Sequence, residues 1–65
     1  MITYYRLFDI LRRRDITVET LRLAIGASSA TMSKLSKNEI VSLTVIQRIC
    51  DYLDCQPGDI MENTK

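Results

Sequence analysis

The segment TVETLRLAIGASSATMSKLSKNE, residues 17–39, contains two short apolar patterns on either side of a glycine. In the first pattern the apolar side chains recur at helical spacing, and Thr17 in front of them is a typical N-cap. Gly26 ends this helix, because glycine readily takes the left-handed conformation just past a helix end. The spacing predicts that the helix buries Val18, Leu21, Ala24 and Ile25.

A second helix follows this glycine after only one or two residues. Ser28 caps it, and its inward positions are Met32 and Leu35. Two short helices joined by so tight a turn must cross at a sharp angle, which is the arrangement of a helix-turn-helix. The sequence therefore predicts this motif at about residues 17–37, with its second helix at about 28–37.

Helical periodicity continues on both sides of the motif. A first helix is predicted at about residues 3–14; after a break at Asn38, Ser42 caps a fourth helix and Pro57 begins a short fifth. With no strand of consequence, the expected fold is all-α, a compact five-helix bundle forming one domain over residues 1–65. The buried positions predicted outside the motif are Tyr4, Leu7, Phe8, Leu11, Leu43, Ile46, Ile49, Cys50, Leu53, Ile60 and Met61.

The charge of the chain is small in total but unevenly distributed. Residues 1–37 contain seven Arg or Lys against three Asp or Glu, a net charge of +4, whereas residues 38–65 contain two against five, a net charge of −3. This asymmetry points to an anionic partner for the first half. Arg12, Arg13 and Arg14 fit either a solvated helix end, where the helix dipole favours cations, or a phosphate-contacting cluster.

The cysteines and the absence of histidine argue against a metal or redox centre. Cys50 and Cys55 stand five positions apart, which matches neither a CxxC pair nor a zinc half-site, so buried, reduced thiols are expected, with no metal and no cofactor. No signal sequence is visible, and no apolar run approaches the roughly 18 residues of a membrane span. We expect a soluble, cytoplasmic protein with no membrane partner and no small-molecule substrate.

The spacing of the apolar positions and turn residues resembles that of the Cro/repressor-type family, the lambda-repressor-like DNA-binding domains. The similarity extends beyond the motif to VSLTVIQRICDYLDCQPGDIM, residues 41–61, which resembles the family's fourth and fifth helices. It implies a lambda-repressor-like fold and a transcriptional regulator, a small repressor, that binds double-stranded DNA. The matching positions are Leu21, Ile25, Gly26, Ala27, Met32 and Leu35, then Leu43, Ile46, Ile49, Cys50, Leu53, Gly58, Asp59 and Ile60.

The resemblance also implies that the helix at about 28–37 enters the major groove of DNA. The expected base-contacting residues, which helical spacing turns outward, are Ser29, Ala30, Ser33 and Lys34. The expected phosphate-contacting residues are Thr17, Ser28, Thr31, Lys37 and Asn38. Because the base-contacting set holds no arginine, glutamine or asparagine, direct readout of sequence should be modest, and DNA shape or dimer spacing should add to it.

Two positions depart from the family pattern. Arg22 stands where the family usually has a small residue, commonly alanine, so Ala24 is expected to supply the close helix contact instead. Many members also begin this helix with glutamine, whereas this chain has Thr17 and Val18. The Thr17 hydroxyl and the backbone N–H groups would then anchor the phosphate.

Other readings of the sequence are less well supported or stay open. Ser33 and Lys37 are the only pair suited to nucleophilic catalysis, and nothing indicates an oxyanion hole, so an enzyme is not expected. A protein-interaction module of the antitoxin or anti-repressor type, which does not itself read DNA, remains the alternative. A homodimer is also compatible with the sequence, and the candidate dimer-facing residues, which fit the ends of a core equally well, are Ile2, Tyr4, Tyr5, Ile60 and Met61.

Overall fold

The computed structural model describes all 65 residues and contains four α-helices, a single turn of 3-10 helix and a short antiparallel ladder. Strand β1 pairs with strand β2, so that Ile2 faces Asn63 and Thr3 faces Glu62. In chain order the elements are β1 (Ile2–Thr3), α1 (Tyr5–Arg13), α2 (Val18–Ile25), α3 (Ser29–Ser36), α4 (Leu43–Leu53), the 3-10 turn (Pro57–Asp59) and β2 (Glu62–Asn63).

The predicted fifth α-helix is only this 3-10 turn, so the prediction of five helices is wrong by one. Pro57 begins the turn as expected, because proline has no N–H to leave unpaired there. The Asp59 carboxylate then accepts from the backbone N–H of Gln56 at 2.9 Å, while the Gln56 carbonyl accepts from the N–H of Asp59 at 2.9 Å. These reciprocal bonds close the turn, and the chain straightens into β2, which the sequence analysis did not predict.

The core is one cluster of 13 buried apolar residues enclosed by the helices and the 3-10 turn. Three side chains predicted to be buried are exposed instead: Leu43 is 78% exposed, Val18 is 40% exposed, and Ala24 also faces solvent. Leu43 and Val18 are the first residues of their helices, where the side chain projects beyond the core. The core residues are Tyr4, Leu7, Ile10, Leu11, Leu21, Ile25, Met32, Leu35, Ile46, Ile49, Cys50, Leu53 and Ile60.

The three predicted N-caps are confirmed. Each cap residue is in an extended conformation, and its hydroxyl oxygen accepts a hydrogen bond from the backbone N–H three residues later. The donor-to-acceptor pairs are Thr20 to Thr17 at 3.0 Å, Thr31 to Ser28 at 3.2 Å and Val45 to Ser42 at 3.3 Å.

All four helices end in the same way, with one residue in the left-handed conformation. The next residue donates its N–H to the carbonyl five positions earlier at 2.8 to 3.1 Å, which is the long hydrogen bond of a Schellman cap. Each helix therefore stops abruptly and the chain can reverse within a few residues. The left-handed residues are Asp15 (φ 56°), Gly26 (φ 66°), Asn38 (φ 58°) and Asp54 (φ 53°).

Gly26 allows the strain of such a cap to be measured separately from packing. A Cβ at Gly26 would have no atom within 4 Å, so Gly26→Ala changes little besides the backbone energy. We expect this variant to lose about 1 kcal/mol of unfolding free energy in urea denaturation, since alanine resists a positive φ.

Gly58→Ala is the matched control, because its Cβ would also meet nothing within 4 Å but its φ is not positive. It should gain about 0.4–1 kcal/mol, because alanine restricts the unfolded chain. Equal effects of the two substitutions would contradict the assignment of strain to Gly26.

Candidate nucleic-acid interface

Helices α2 and α3 form the predicted helix-turn-helix, and only residues 26–28 separate them. The Gly26 N–H donates to the carbonyl of Leu23 at 3.3 Å, and the Ala27 N–H donates to the carbonyl of Arg22 at 3.0 Å. These two bonds end α2 and direct the chain into the cap of α3. The turn thereby fixes the angle between the helices through backbone hydrogen bonds.

Helix α3 presents one face to the core and the opposite face to solvent. Met32 and Leu35, which are 5% and 0% exposed, hold it against the other helices. The outward face carries three short side chains and one long one, so a flat surface such as a groove floor can approach the helix backbone closely. The exposed residues of this face are the four predicted to contact bases: Ser29, Ala30, Ser33 and Lys34.

One lysine lies in α3 and another directly follows the helix, and neither forms an ion pair within the chain. Lys34 and Lys37 are exposed and take part in no ion pair. Their charges are therefore available to an anion outside the molecule. The ion pairs of the chain are Arg6 with Glu62, Arg13 with Asp9, and Arg22 with Glu19.

The N-termini of α2 and α3 carry matching pairs of hydroxyl groups. The Thr17 and Thr20 hydroxyl oxygens lie 2.8 Å apart, and those of Ser28 and Thr31 lie 3.2 Å apart. Each pair stands beside the backbone N–H groups that make a helix N-terminus attractive to phosphate. The sequence analysis did not predict Thr20 as part of this hydroxyl pair. Its position three residues after the N-cap Thr17 was the signal that could have indicated it.

Asn38, a predicted phosphate contact, has a structural role at the end of α3. Its Oδ1 accepts from the backbone N–H of Tyr4 at 3.0 Å, and its Nδ2 donates to the hydroxyl of Tyr5 at 3.2 Å. The Tyr4 hydroxyl in turn donates to the carbonyl of Glu39 at 2.8 Å. We refer to these three hydrogen bonds as the Asn38 latch, because they join the end of α3 to the start of α1.

Arg22 occupies the position where the resemblance led us to expect a small residue, and it bridges α2 and the turn. Its guanidinium donates from Nε to Oε1 of Glu19 at 3.0 Å, and from Nη1 to the carbonyl of Ala27 at 3.4 Å. The hydrogen bond to Arg22 lowers the pKa of Glu19, and the same bond raises the pKa of Arg22. The expectation that Ala24 makes the close contact is wrong, because Ala24 is exposed.

Two of the three consecutive arginines at the end of α1 are engaged within the chain. Arg13 pairs with Asp9 at 3.0 Å, one helical turn away. Arg14 donates from Nη1 to the carbonyl of Leu53 at 2.7 Å, which ties the end of α1 to the end of α4. Arg12 alone is exposed without an ion pair or side-chain hydrogen bond.

The side chains of Ser33 and Lys37 make no hydrogen bond to each other, and only their backbone groups are joined, at 3.1 Å. No three His, Cys, Asp or Glu side chains are grouped so that they could hold a metal ion. None of the helices has the length and apolar character needed to cross a membrane.

Comparison with known proteins identifies similar chains. Residues 6–65 match the Cro/C1-type helix-turn-helix DNA-binding domain. YozG, an uncharacterized HTH-type transcriptional regulator of Bacillus subtilis strain 168, is 36% identical over 55 residues, which cover 82% of this chain and 66% of YozG. The chain thus spans just under two thirds of that relative. The crystal structure of the transcriptional regulator VanUg, Form II, is 49% identical, with a TM-score of 0.91 over 94% of this chain and 81% of VanUg.

Substitution of Asn38 separates its backbone role from its side-chain role. Asn38→Gly keeps a residue suited to the left-handed conformation but removes the carboxamide, so we expect a loss of about 1–3 kcal/mol of unfolding free energy. Asn38→Ala removes the carboxamide and also strains the backbone, which should cost about 1 kcal/mol more. Urea denaturation of both variants measures the loss of the carboxamide and the backbone strain separately. A glycine variant as stable as the parent would show that the two hydrogen bonds of the Asn38 carboxamide contribute nothing to stability.

Proposed function

The chain belongs to the Cro/C1-type helix-turn-helix DNA-binding family, and from this membership we propose that it is a transcriptional regulator that binds double-stranded DNA through α3. The observation that carries the proposal is the outward face of α3, whose short side chains are exposed beside two unpaired lysines. Short side chains permit close approach to a groove, and the lysines supply positive charge for the phosphates. We further propose that the protein acts in the cytoplasm, where its DNA partner lies.

The proposed base contacts come from four residues on the outward face of α3. The hydroxyls of Ser29 and Ser33 can donate to or accept from base edges, and the Ala30 methyl suits a thymine methyl. Lys34 reaches either guanine O6 and N7 or a phosphate. Apart from Lys34, none of these side chains can form a bidentate pair with a base, so we expect the preference for one sequence to be shallow.

The phosphate contacts flank this face and set the register of the protein on the duplex. Thr17 and Ser28 act from the helix N-termini, and Thr31 acts from the first turn of α3. Each of these hydroxyls already serves or adjoins a cap, so a phosphate would be a further partner of a preformed group. Lys37 approaches as a charged side chain, and Asn38 contributes through the hydrogen-bonding capacity that the Asn38 latch leaves free.

We propose that the protein represses transcription, because a domain seated in the major groove occupies the site that polymerase or an activator would need. A homodimer would place two copies of α3 about one helical turn of DNA apart. Of the residues considered for the dimer surface, Tyr4 and Ile60 are core residues with 2% and 0% exposure, which leaves Tyr5 as the most exposed candidate at 64%.

A protein-interaction module is the second candidate function. It is favoured by Ile40, in the loop between α3 and α4, and by Leu43, at the start of α4, which are 71% and 78% exposed. Exposed apolar side chains so close in sequence are suited to a protein partner. The two functions can be distinguished because only the first requires the isolated chain to bind duplex DNA.

In vitro selection from a random duplex library at two salt concentrations tests the main proposal. We expect enrichment at low salt that weakens steeply at high salt, because phosphate contacts release counterions. The enriched sequences should share a short, degenerate consensus. Failure to enrich any duplex at low salt would overturn DNA binding and leave the interaction module.

Neutral substitutions of the two lysines separate phosphate contacts from base contacts. Lys37→Gln should weaken binding to all duplexes about equally and reduce the salt slope by about 0.9, the contribution of one phosphate contact. Lys34→Gln should instead change the preference among sequences by up to about 1–3 kcal/mol. Titration of labelled duplexes across salt concentrations measures both quantities.

Lys65→Gln is the matched control, because it removes the same charge outside α2 and α3. It should leave both the slope and the preference nearly unchanged. A control variant that loses as much affinity as Lys37→Gln would mean that only the total charge matters.

A further inference from the structure

The two cysteines occupy paired positions of one helix cap. Asp54, with φ 53°, ends α4 in the left-handed conformation. The backbone N–H of Cys55 then donates to the carbonyl of Cys50 at 3.1 Å. This hydrogen bond closes the Schellman cap, in which the side chains before and after the turn characteristically touch.

The end of α1 shows how two side chains at these positions can pack together. At the end of α1 they are Leu11 and Ile16, an apolar pair that packs on the core. At α4 both positions carry thiols instead, and Cys50 belongs to the core while Cys55 packs against it. A hydrogen bond that links residue 55 to residue 50 also brings their Cα atoms near the separation of about 4.4–6.8 Å that a disulfide requires.

The two thiols differ in their access to solvent. Cys50 is 9% exposed, whereas Cys55 is half-buried and lines a surface groove between α1 and the end of α4. Both arginines and aspartates line this groove, among them Arg14 and Asp54. Burial, and then the proximity of Cys55, raises the pKa of Cys50 to about 11, so this thiol stays protonated at neutral pH. An oxidant in solution therefore reaches Cys55 first, and Cys50 lies deeper in the core.

We propose that Cys50 and Cys55 form a thiol oxidation site, at which a peroxide converts the two thiols into an intramolecular disulfide. Hydrogen peroxide transfers one oxygen to the Cys55 sulfur as its O–O bond breaks, which gives a sulfenic acid and one water. The Cys50 sulfur then displaces the hydroxyl from Cys55, the S–S bond forms, and the thiol proton leaves with the hydroxide as a second water. A dithiol reductant then reduces the disulfide to the two thiols and is itself oxidised to a disulfide. This site does not depend on DNA binding.

The experiment treats the purified full chain with hydrogen peroxide and follows its intact mass and its free thiols. We expect both thiols to be lost together in a monomer that has lost two hydrogen atoms and gained no oxygen, with full recovery after dithiothreitol. Oxygen adducts as the final product, or disulfide-linked dimers that keep one free thiol, would overturn the proposal.

Two variants test the order of events. Cys50→Ala removes the second thiol, so the sulfenic acid at Cys55 should persist and react with dimedone. Cys55→Ser changes a half-exposed position and should leave the buried Cys50 reduced over the same exposure. Oxidation of Cys50 in this variant as fast as in the parent would overturn the assignment of Cys55 as the first target. The result for the unsubstituted chain decides the proposal even where Cys50→Ala weakens the core.

Discussion

The side-chain amide of Asn38 controls how α3 is held, because the Asn38 latch joins two helices that are distant in sequence. The backbone N–H of Tyr4 lies in front of α1, which has no side-chain cap of its own, and Asn38 Oδ1 satisfies it. The Tyr4 hydroxyl returns a hydrogen bond to the residue after Asn38. The end of α3 is thereby fixed to the core side of the molecule, and the N-terminal half of the helix is free to meet a ligand.

Helix termini account for much of the remaining architecture. A chain of 65 residues with helices of 8 to 11 residues gains little from helix propensity alone, since isolated helices of this length are marginal. Three hydroxyl N-caps and four left-handed C-caps satisfy backbone groups that would otherwise be unpaired. They also set where each helix begins and stops, so the apolar stripes meet in one core.

Features with local causes could be predicted from the sequence, and features with distant causes could not. The caps at Thr17 and Ser28 and the turn at Gly26 follow from a few neighbouring residues, and the outward face of α3 follows once Met32 and Leu35 point inward. The Asn38 latch depends on tyrosines more than thirty positions away, which no local pattern reveals. Leu43 was wrongly predicted to be buried, because helical periodicity does not show at which residue an apolar face first contacts the core. The DNA contacts remain predictions.

The plain face of α3 has a consequence for how new binding preferences could arise. Ser29, Ala30 and Ser33 are exposed and make no contribution to the core, which α3 enters through Met32 and Leu35. A longer side chain at one of these three positions would therefore extend into solvent and would not clash with the core. Single substitutions to arginine, glutamine or asparagine could add one base preference at a time. The fold therefore allows the proposed DNA-facing surface to change while the packing of Met32 and Leu35 in the core stays the same.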